Sequence, residues 1–101
     1  MSARRPRLVL SPIAQHDLRD VLTYSEQQWG KAQRHAYRQR FVEAFAELVT
    51  FPELGIARPE YGKDIRSHRV GQHVVIYQPH EAELRIVRVL HARRDLDIEF
   101  S

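Results

Sequence analysis

Between Asp64 and Asp95 the chain carries two runs that favour extended backbone. They read Asp64-Ile-Arg-Ser-His-Arg-Val-Gly-Gln-His-Val-Val-Ile-Tyr and Leu84-Arg-Ile-Val-Arg-Val-Leu-His-Ala-Arg-Arg-Asp. Both are rich in β-branched and other apolar residues, which suit a pleated, half-buried surface. Gly71 sits where the first run must reverse, and Pro79-His-Glu-Ala-Glu supplies the next turn. Strands are therefore expected near residues 65–70, 73–78 and 84–91, forming a three-stranded antiparallel sheet. Simple alternation along the last strand sends Arg85, Val87, Val89 and His91 to one face, and Ile86, Arg88 and Leu90 to the other.

The first half follows a different period. After a short apolar run, Leu8-Val-Leu, comes Ser11-Pro12, with Ser as helix cap and Pro in the first turn, where its missing N–H costs nothing. Ala14, Leu18, Val21, Leu22, Ser25 and Trp29 then recur on one helical stripe, and Gly30 stops the helix. Tyr37, Phe41, Ala44, Phe45 and Leu48 repeat the pattern in a second helix, which Phe51-Pro52 must end. So short a connection makes the pair an antiparallel helical hairpin, both stripes facing one core. Residues 52–63, with two Pro and two Gly, are expected as a loop. Helices first and antiparallel strands after them give an α+β fold, and 101 residues leave room for a single domain over 1–101.

Composition removes several function classes. There is no cysteine, hence no disulfide and no thiol nucleophile. The basic N-terminus, Met1-Ser-Ala-Arg-Arg-Pro-Arg, lacks the apolar core of a signal peptide, and no stretch is long enough to span a bilayer, so a cytoplasmic protein with no membrane partner is expected. Charge is uneven: residues 58–94 hold eight Lys/Arg against four Asp/Glu, whereas residues 11–57 hold five against six. A positive sheet half calls for an acidic protein partner or a nucleic acid.

Catalytic signatures are sparse. His16 and Asp20 share a helix face, and His68 and His73 flank a turn, but no set has metal-ligand spacing, so no metal or cofactor is expected. Ser25 and Ser67 have no glycine elbow. Metal-free RNA cleavage needs a base, an acid and cations around the phosphorane; Arg69, Tyr77, Arg85 and His91, on strands that can adjoin, are the candidates. Tyr77 is the one aromatic on the strands, which argues against a base-stacking platform, and no sequence-specific nucleic-acid binding is expected.

The order strand, helical hairpin and three antiparallel strands resembles the ParE/RelE superfamily of bacterial toxins, and in particular its ParE branch. The resemblance rests on Leu8-Val-Leu-Ser-Pro-Ile-Ala, Asp17-Leu with Trp29, Pro52-Glu-Leu-Gly, the run Ile65 to Tyr77, and Arg85-Ile-Val-Arg-Val-Leu-His-Ala-Arg-Arg-Asp. It implies a toxin encoded with a ParD-like antitoxin and assembled with it as a hetero-oligomer. ParE-like toxins poison DNA gyrase; RelE-like relatives cut messenger RNA on the ribosome with loop and strand lysines and a terminal tyrosine. This chain has one loop lysine, Lys63, and ends His91-Ala-Arg-Arg without that tyrosine. The resemblance thus implies a binding toxin acting on gyrase rather than an enzyme. The alternatives are a ribosome-dependent endoribonuclease or a non-toxic antitoxin-binding relative. Arg66, Arg69, Arg85 and Arg88 are expected to meet antitoxin carboxylates. Arg58, Arg93 and Arg94, flanking the sheet, are expected to meet the target.

Overall fold

The computed structural model describes residues 5–93. Its elements are β1 (Arg7–Leu10), α1 (Pro12–Trp29), α2 (Lys31–Thr50), β2 (Ile56–Ala57), a 3-10 turn (Pro59–Tyr61), β3 (Arg66–Val70), β4 (His73–Pro79) and β5 (Glu83–His91). The expected antiparallel meander β3-β4-β5 forms the centre of a sheet ordered β1-β5-β4-β3-β2. Two strands extend it beyond the sequence-based expectation. β1 lies parallel to β5, with Arg7 opposite Glu83 and Leu10 opposite Ile86. Ile56 and Ala57, expected in a loop, pair with β3.

Local signals set the helices. Ser11 is extended (φ −60°, ψ 157°), and its Oγ accepts from the Ala14 N–H at 3.0 Å. The same hydroxyl donates to the Val87 carbonyl at 2.9 Å, so one residue both starts α1 and ties it to β5. Gly30 takes φ 90° between the helices, a value costly for any residue with a Cβ. Phe41, Ala44, Phe45 and Leu48 of α2 are buried as the stripe predicts. They meet Ala14 of α1 and Val70, Val75, Tyr77, Leu84, Ile86 and Val89 of the sheet. Trp29 departs from its stripe: it is 66% exposed, because α1 ends there at the hairpin's closed tip and the ring lines an open groove instead of the core.

The alternation expected along β5 does not hold. Ile76 pairs with Arg88 but Tyr77 pairs with Ile86, so Val87 is an extra residue in the ladder. Such a bulge shifts the side-chain phase by one. Ile86 and Val89, expected on opposite faces, both pack toward the helices. Val87 and Leu90 instead join Ile65, Tyr61, Val74 and Ile76 in a second apolar cluster.

β5 runs on past the end of β1, which would leave its edge bare where the chain turns into α1. Asp17 covers that edge. Its Oδ2 accepts from the Val89 N–H at 3.0 Å, and the carboxylate is held by Arg88 at 2.8 and 3.2 Å.

Candidate functional site

Where the closed tip of the hairpin overhangs the β3-β4 turn, the surface sinks into a groove of about 450 Å³. Tyr24 and Trp29 of α1 stand on one wall, 57% and 66% exposed, with ring centroids 6.2 Å apart edge to face. Tyr37 and Arg40 of α2 form another wall, and Gly71, Gln72, His73 and His91 form the floor. His73 and His91 are register partners on β4 and β5, their ring centroids 5.2 Å apart. A second depression on the far side of the histidines is bounded by Asp17 and Asp20.

A hydroxyl at the end of the α2 stripe organises this floor. Tyr37 Oη lies 3.1 Å from the Val70 carbonyl, accepts from the Gln72 N–H at 3.2 Å, and lies 2.5 Å from His73 Nδ1. With the Tyr37 proton on the Val70 carbonyl, the neutral His73 proton lies on Nδ1; with it on the ring, that proton lies on Nε2. His91 Nδ1 accepts from the Arg93 N–H at 3.1 Å, which places the His91 proton on Nε2. Gly71, at φ 57°, permits the turn that brings Tyr37 so close: a Cβ there would lie 2.8 Å from the tyrosine ring and hydroxyl.

Burial holds the Tyr37 hydroxyl above its usual range, offset in part by the Gln72 N–H and by Arg40 and Arg69. Burial also lowers His73 to about 4; repulsion from His91, whenever that ring is charged, and from Arg69 adds to the effect. A ring that resists protonation in the fold has consequences for acid stability. The unfolded chain binds more protons between the free-histidine value of about 6.5 and the folded value of about 4, so stability falls as pH falls through that window. Discounted for the half-exposed ring, the loss is about 1–2 kcal/mol. Urea unfolding at pH 7 and pH 4.5 should show this acid loss in the wild-type chain and a smaller one in His73→Gln.

The arginines singled out from the sequence are dispersed rather than gathered. Arg58 binds Glu60 at 2.9 Å and the Tyr61 hydroxyl at 2.8 Å, its guanidinium stacked over that ring. Arg66 donates to the carbonyls of Gly55 and Glu53. Exposed Arg69 donates to the Gly71 carbonyl at 2.6 Å. Exposed Arg85 binds Glu83, which also takes Arg7. Arg88 is half-buried against Asp17, Arg93 is exposed, and Arg94 lies outside the described residues. Of the expected cationic platform, Arg58, Arg85 and Arg88 are engaged by carboxylates of the chain itself, and Arg66 and Arg69 by its backbone carbonyls.

The four nuclease candidates do not form one cluster. Tyr77 is fully buried, its hydroxyl donating to the Pro52 carbonyl and accepting from the Gly55 N–H, both at 2.8 Å. Burial raises its pKa further. Arg85 lies opposite Gln78, five residues along β4 from His73, hence about 16 Å from the histidine end at the usual strand rise. Among the described residues, no group of three or more His, Cys, Asp or Glu could hold a metal ion.

What the sequence reading missed is the groove itself. Tyr37 and Trp29 were assigned to core stripes, and His73 to a turn flank. The available signal was a tyrosine closing an otherwise apolar stripe, since a buried hydroxyl requires partners.

A family profile described as "ParE toxin of type II toxin-antitoxin system, parDE" matches residues 8–96. The chain belongs to the ParE toxin family. It is similar to Toxin ParE1 of Mycobacterium tuberculosis, at 32% identity over 92 residues, spanning 90% of this chain and 94% of that one. Toxin ParE1 of Caulobacter vibrioides is 34% identical over 82 residues, spanning 81% and 84%. Toxin ParE of Escherichia coli is 29% identical over 89 residues, spanning 87% and 86%. Among solved structures, a chain of the "Chromosomal ParDE TA system from P. aeruginosa" superposes with a TM-score of 0.74 at 18% identity, covering 88% of this chain and 98% of that one. That likeness shows the fold, and with it the α+β arrangement of ParE and RelE toxins. Membership of the ParE family makes the chain the toxin component of a type II toxin–antitoxin system, and so implies a cognate antitoxin as partner.

Proposed function

We propose that this ParE family member arrests growth by binding DNA gyrase, and that a ParD-like antitoxin neutralises it. The observation that carries the binding reading is the dispersal of the nuclease set: Tyr77 is sealed in the core, and Arg85 stands at the opposite end of the sheet from His91. Gyrase acts on chromosomal DNA, so this reading places the protein in the cytoplasm. No helix among the described residues is long and apolar enough to cross a membrane.

Exposed apolar side chains support a docked partner. Val42, Phe51, Leu54 and Ile56 are 42–71% exposed along the path from α2 to β2. β2 is the outermost strand on its side of the sheet. Edge strands readily accept an added extended segment, and an antitoxin tail that folds on binding supplies one. On this reading Arg66, Arg69, Arg85 and Arg88 meet antitoxin carboxylates, Arg85 by exchanging Glu83 for a partner's acid and Arg88 while it stays paired with Asp17. Arg58, Arg93 and Arg94 face the target.

One observation favours an endoribonuclease instead, namely that Tyr37, His73, His91 and Arg40 share the groove. A histidine held near 4 is, however, a poor general base at neutral pH. Purified protein is expected to block supercoiling by gyrase and to leave messenger RNA whole in a translating extract. Cleaved transcripts, with cleavage lost in Arg69→Ala or His91→Ala, would overturn the reading.

A further inference from the structure

The groove at the hairpin tip has the composition of a recognition site with no carboxylate in its own lining. Among the described residues that line it, Arg40, His73 and His91 are basic and none is acidic. Arg69 adds its field at His73 from the neighbouring strand. Carboxylates line the two adjoining depressions: Asp17 and Asp20 share one with His73 and His91, and Glu43 and Glu47 share the other with Arg40 and Arg69. Asp17 is engaged by Arg88, and Asp20 lies 3.3 Å from His16 on an exposed helix face. The opposite wall is apolar and aromatic, with Tyr24 and Trp29 largely exposed. Trp, Tyr and Arg around a concave site are the residues that dominate protein–protein binding energies.

We propose that this groove seats an acidic segment of a protein partner, one carboxylate lying between Arg40 and the His73–His91 pair and an adjacent apolar side chain against Tyr24 and Trp29, and that seating takes up a proton on His73. This rests on the reading that the toxin is held by a protein partner, and names how one part of that contact works. The proton has a defined place to go. A protonated His73 donates from Nδ1 to the Tyr37 oxygen and keeps Nε2–H for the groove, whichever nitrogen was bare before, whereas a proton on His91 Nδ1 would displace the Arg93 N–H. In the empty groove the charged imidazole is opposed by burial, by His91 and by Arg69. Tyr37 and Gln72 are neutral and Arg40 is cationic; Asp17 and Asp20 line the depression next to the pair, Asp17 held by Arg88, and Glu43 and Glu47 line the one beside Arg40 and Arg69. A carboxylate beside the ring reverses that balance, because an opposite charge within a few ångströms favours the protonated form. Binding therefore strengthens as pH falls through the raised value of the complex and levels off near the free value.

Trp29 is the sole tryptophan, so its fluorescence reports on the groove without labelling. The probe is a capped eight-residue peptide alternating Glu and Leu, titrated into the full-length toxin between pH 7.5 and pH 5.5. Its control is the same peptide with Gln for Glu, and an eight-nucleotide oligouridylate forms a nucleic-acid arm. The expected result is Trp29 quenching by the Glu peptide alone, with affinity about tenfold tighter at the acid end, consistent with uptake of one proton. The His73 ring protons, followed by NMR, should titrate about two and a half pH units higher in the complex, as a tenfold gain by pH 5.5 requires. Arg40→Gln should weaken binding about tenfold, the loss of one charge-assisted contact. His73→Gln should bind with no pH dependence. A flat pH profile, an unmoved His73 titration, equal binding of the Gln peptide, or preference for oligouridylate overturns the proposal. Co-expression with the protein encoded in the adjoining reading frame tests the underlying reading separately. Failure to form that complex removes the neutralising partner, whereas a tight complex with no proton uptake removes only the histidine role.

Discussion

Asp17→Ala lowers the free energy of unfolding by about 3 kcal/mol, as expected when one member of a largely buried ion pair is removed. The carboxylate is 14% exposed and its arginine 22%. It serves two purposes at once: it fixes the Arg88 guanidinium and accepts the Val89 N–H on the strand edge that β1 does not reach. Asp17→Asn keeps an acceptor for Val89 and gives up the charge, so about half of the loss should remain. Replacing both partners with apolar residues of similar volume, as Asp17→Leu with Arg88→Met, should recover much of the stability, because neither desolvated charge is left behind. Denaturant midpoints of the wild type, the two single substitutions and the double one measure this. A loss below about 1 kcal/mol in Asp17→Ala would show that the strand edge is held by other means.

Gly55→Ala is expected to cost about 3 kcal/mol or more, at or beyond the upper end for overpacking. An added Cβ would fall 2.5 Å from the Tyr77 hydroxyl, 2.6 Å from the Ser67 carbonyl and 2.7 Å from Tyr77 Cε1. The Ser67 carbonyl belongs to β3 and cannot yield without disturbing the sheet. Tyr77→Phe leaves the buried Gly55 N–H and the Pro52 carbonyl without their shared partner, a loss of about 2 kcal/mol. Combining Gly55→Ala with Tyr77→Phe should recover part of the loss, since the hydroxyl contact disappears while those to the Ser67 carbonyl and the ring carbon Cε1 stay. Thermal unfolding of the three variants reads this directly. Full additivity of the two losses would mean that the hydroxyl and the new methyl do not meet.

These two sites mark the boundary of what the chain discloses before folding. Ser11-Pro12, Gly30, the Tyr37-to-Leu48 stripe and the stop at Pro52 act within a turn or two of themselves, and each is found where periodicity and capping place it. The ParE resemblance is similarly legible, because its motifs run the length of the chain and the family match covers residues 8–96. Asp17 is different: in sequence it is one polar residue on an amphipathic helix, and its partners lie 71 and 72 residues away. The bulge at Val87 is likewise invisible, since a period of two cannot reveal an extra residue whose signature is the register of the neighbouring strand. Tyr77 read as a strand aromatic available for chemistry and is instead a bolt between β4 and the segment after α2. The groove escaped notice because its walls come from both helices and its floor from two strands, so no local window contains it.

The parallel pairing of β1 with β5 bears on inheritance of the gene. Arg7 finds Glu83, its register partner, across a separation of 76 positions, so the first strand synthesised has nothing to lie against until nearly the last has been made. A premature stop or frameshift anywhere upstream of β5 deletes the strand that receives β1, the hydroxyl bond from Ser11 and the clasp from Asp17 together. Inactivating lesions in such a locus should therefore be spread along the whole reading frame rather than confined to codons for contact residues, and late truncations should be as harmless to the host as early ones.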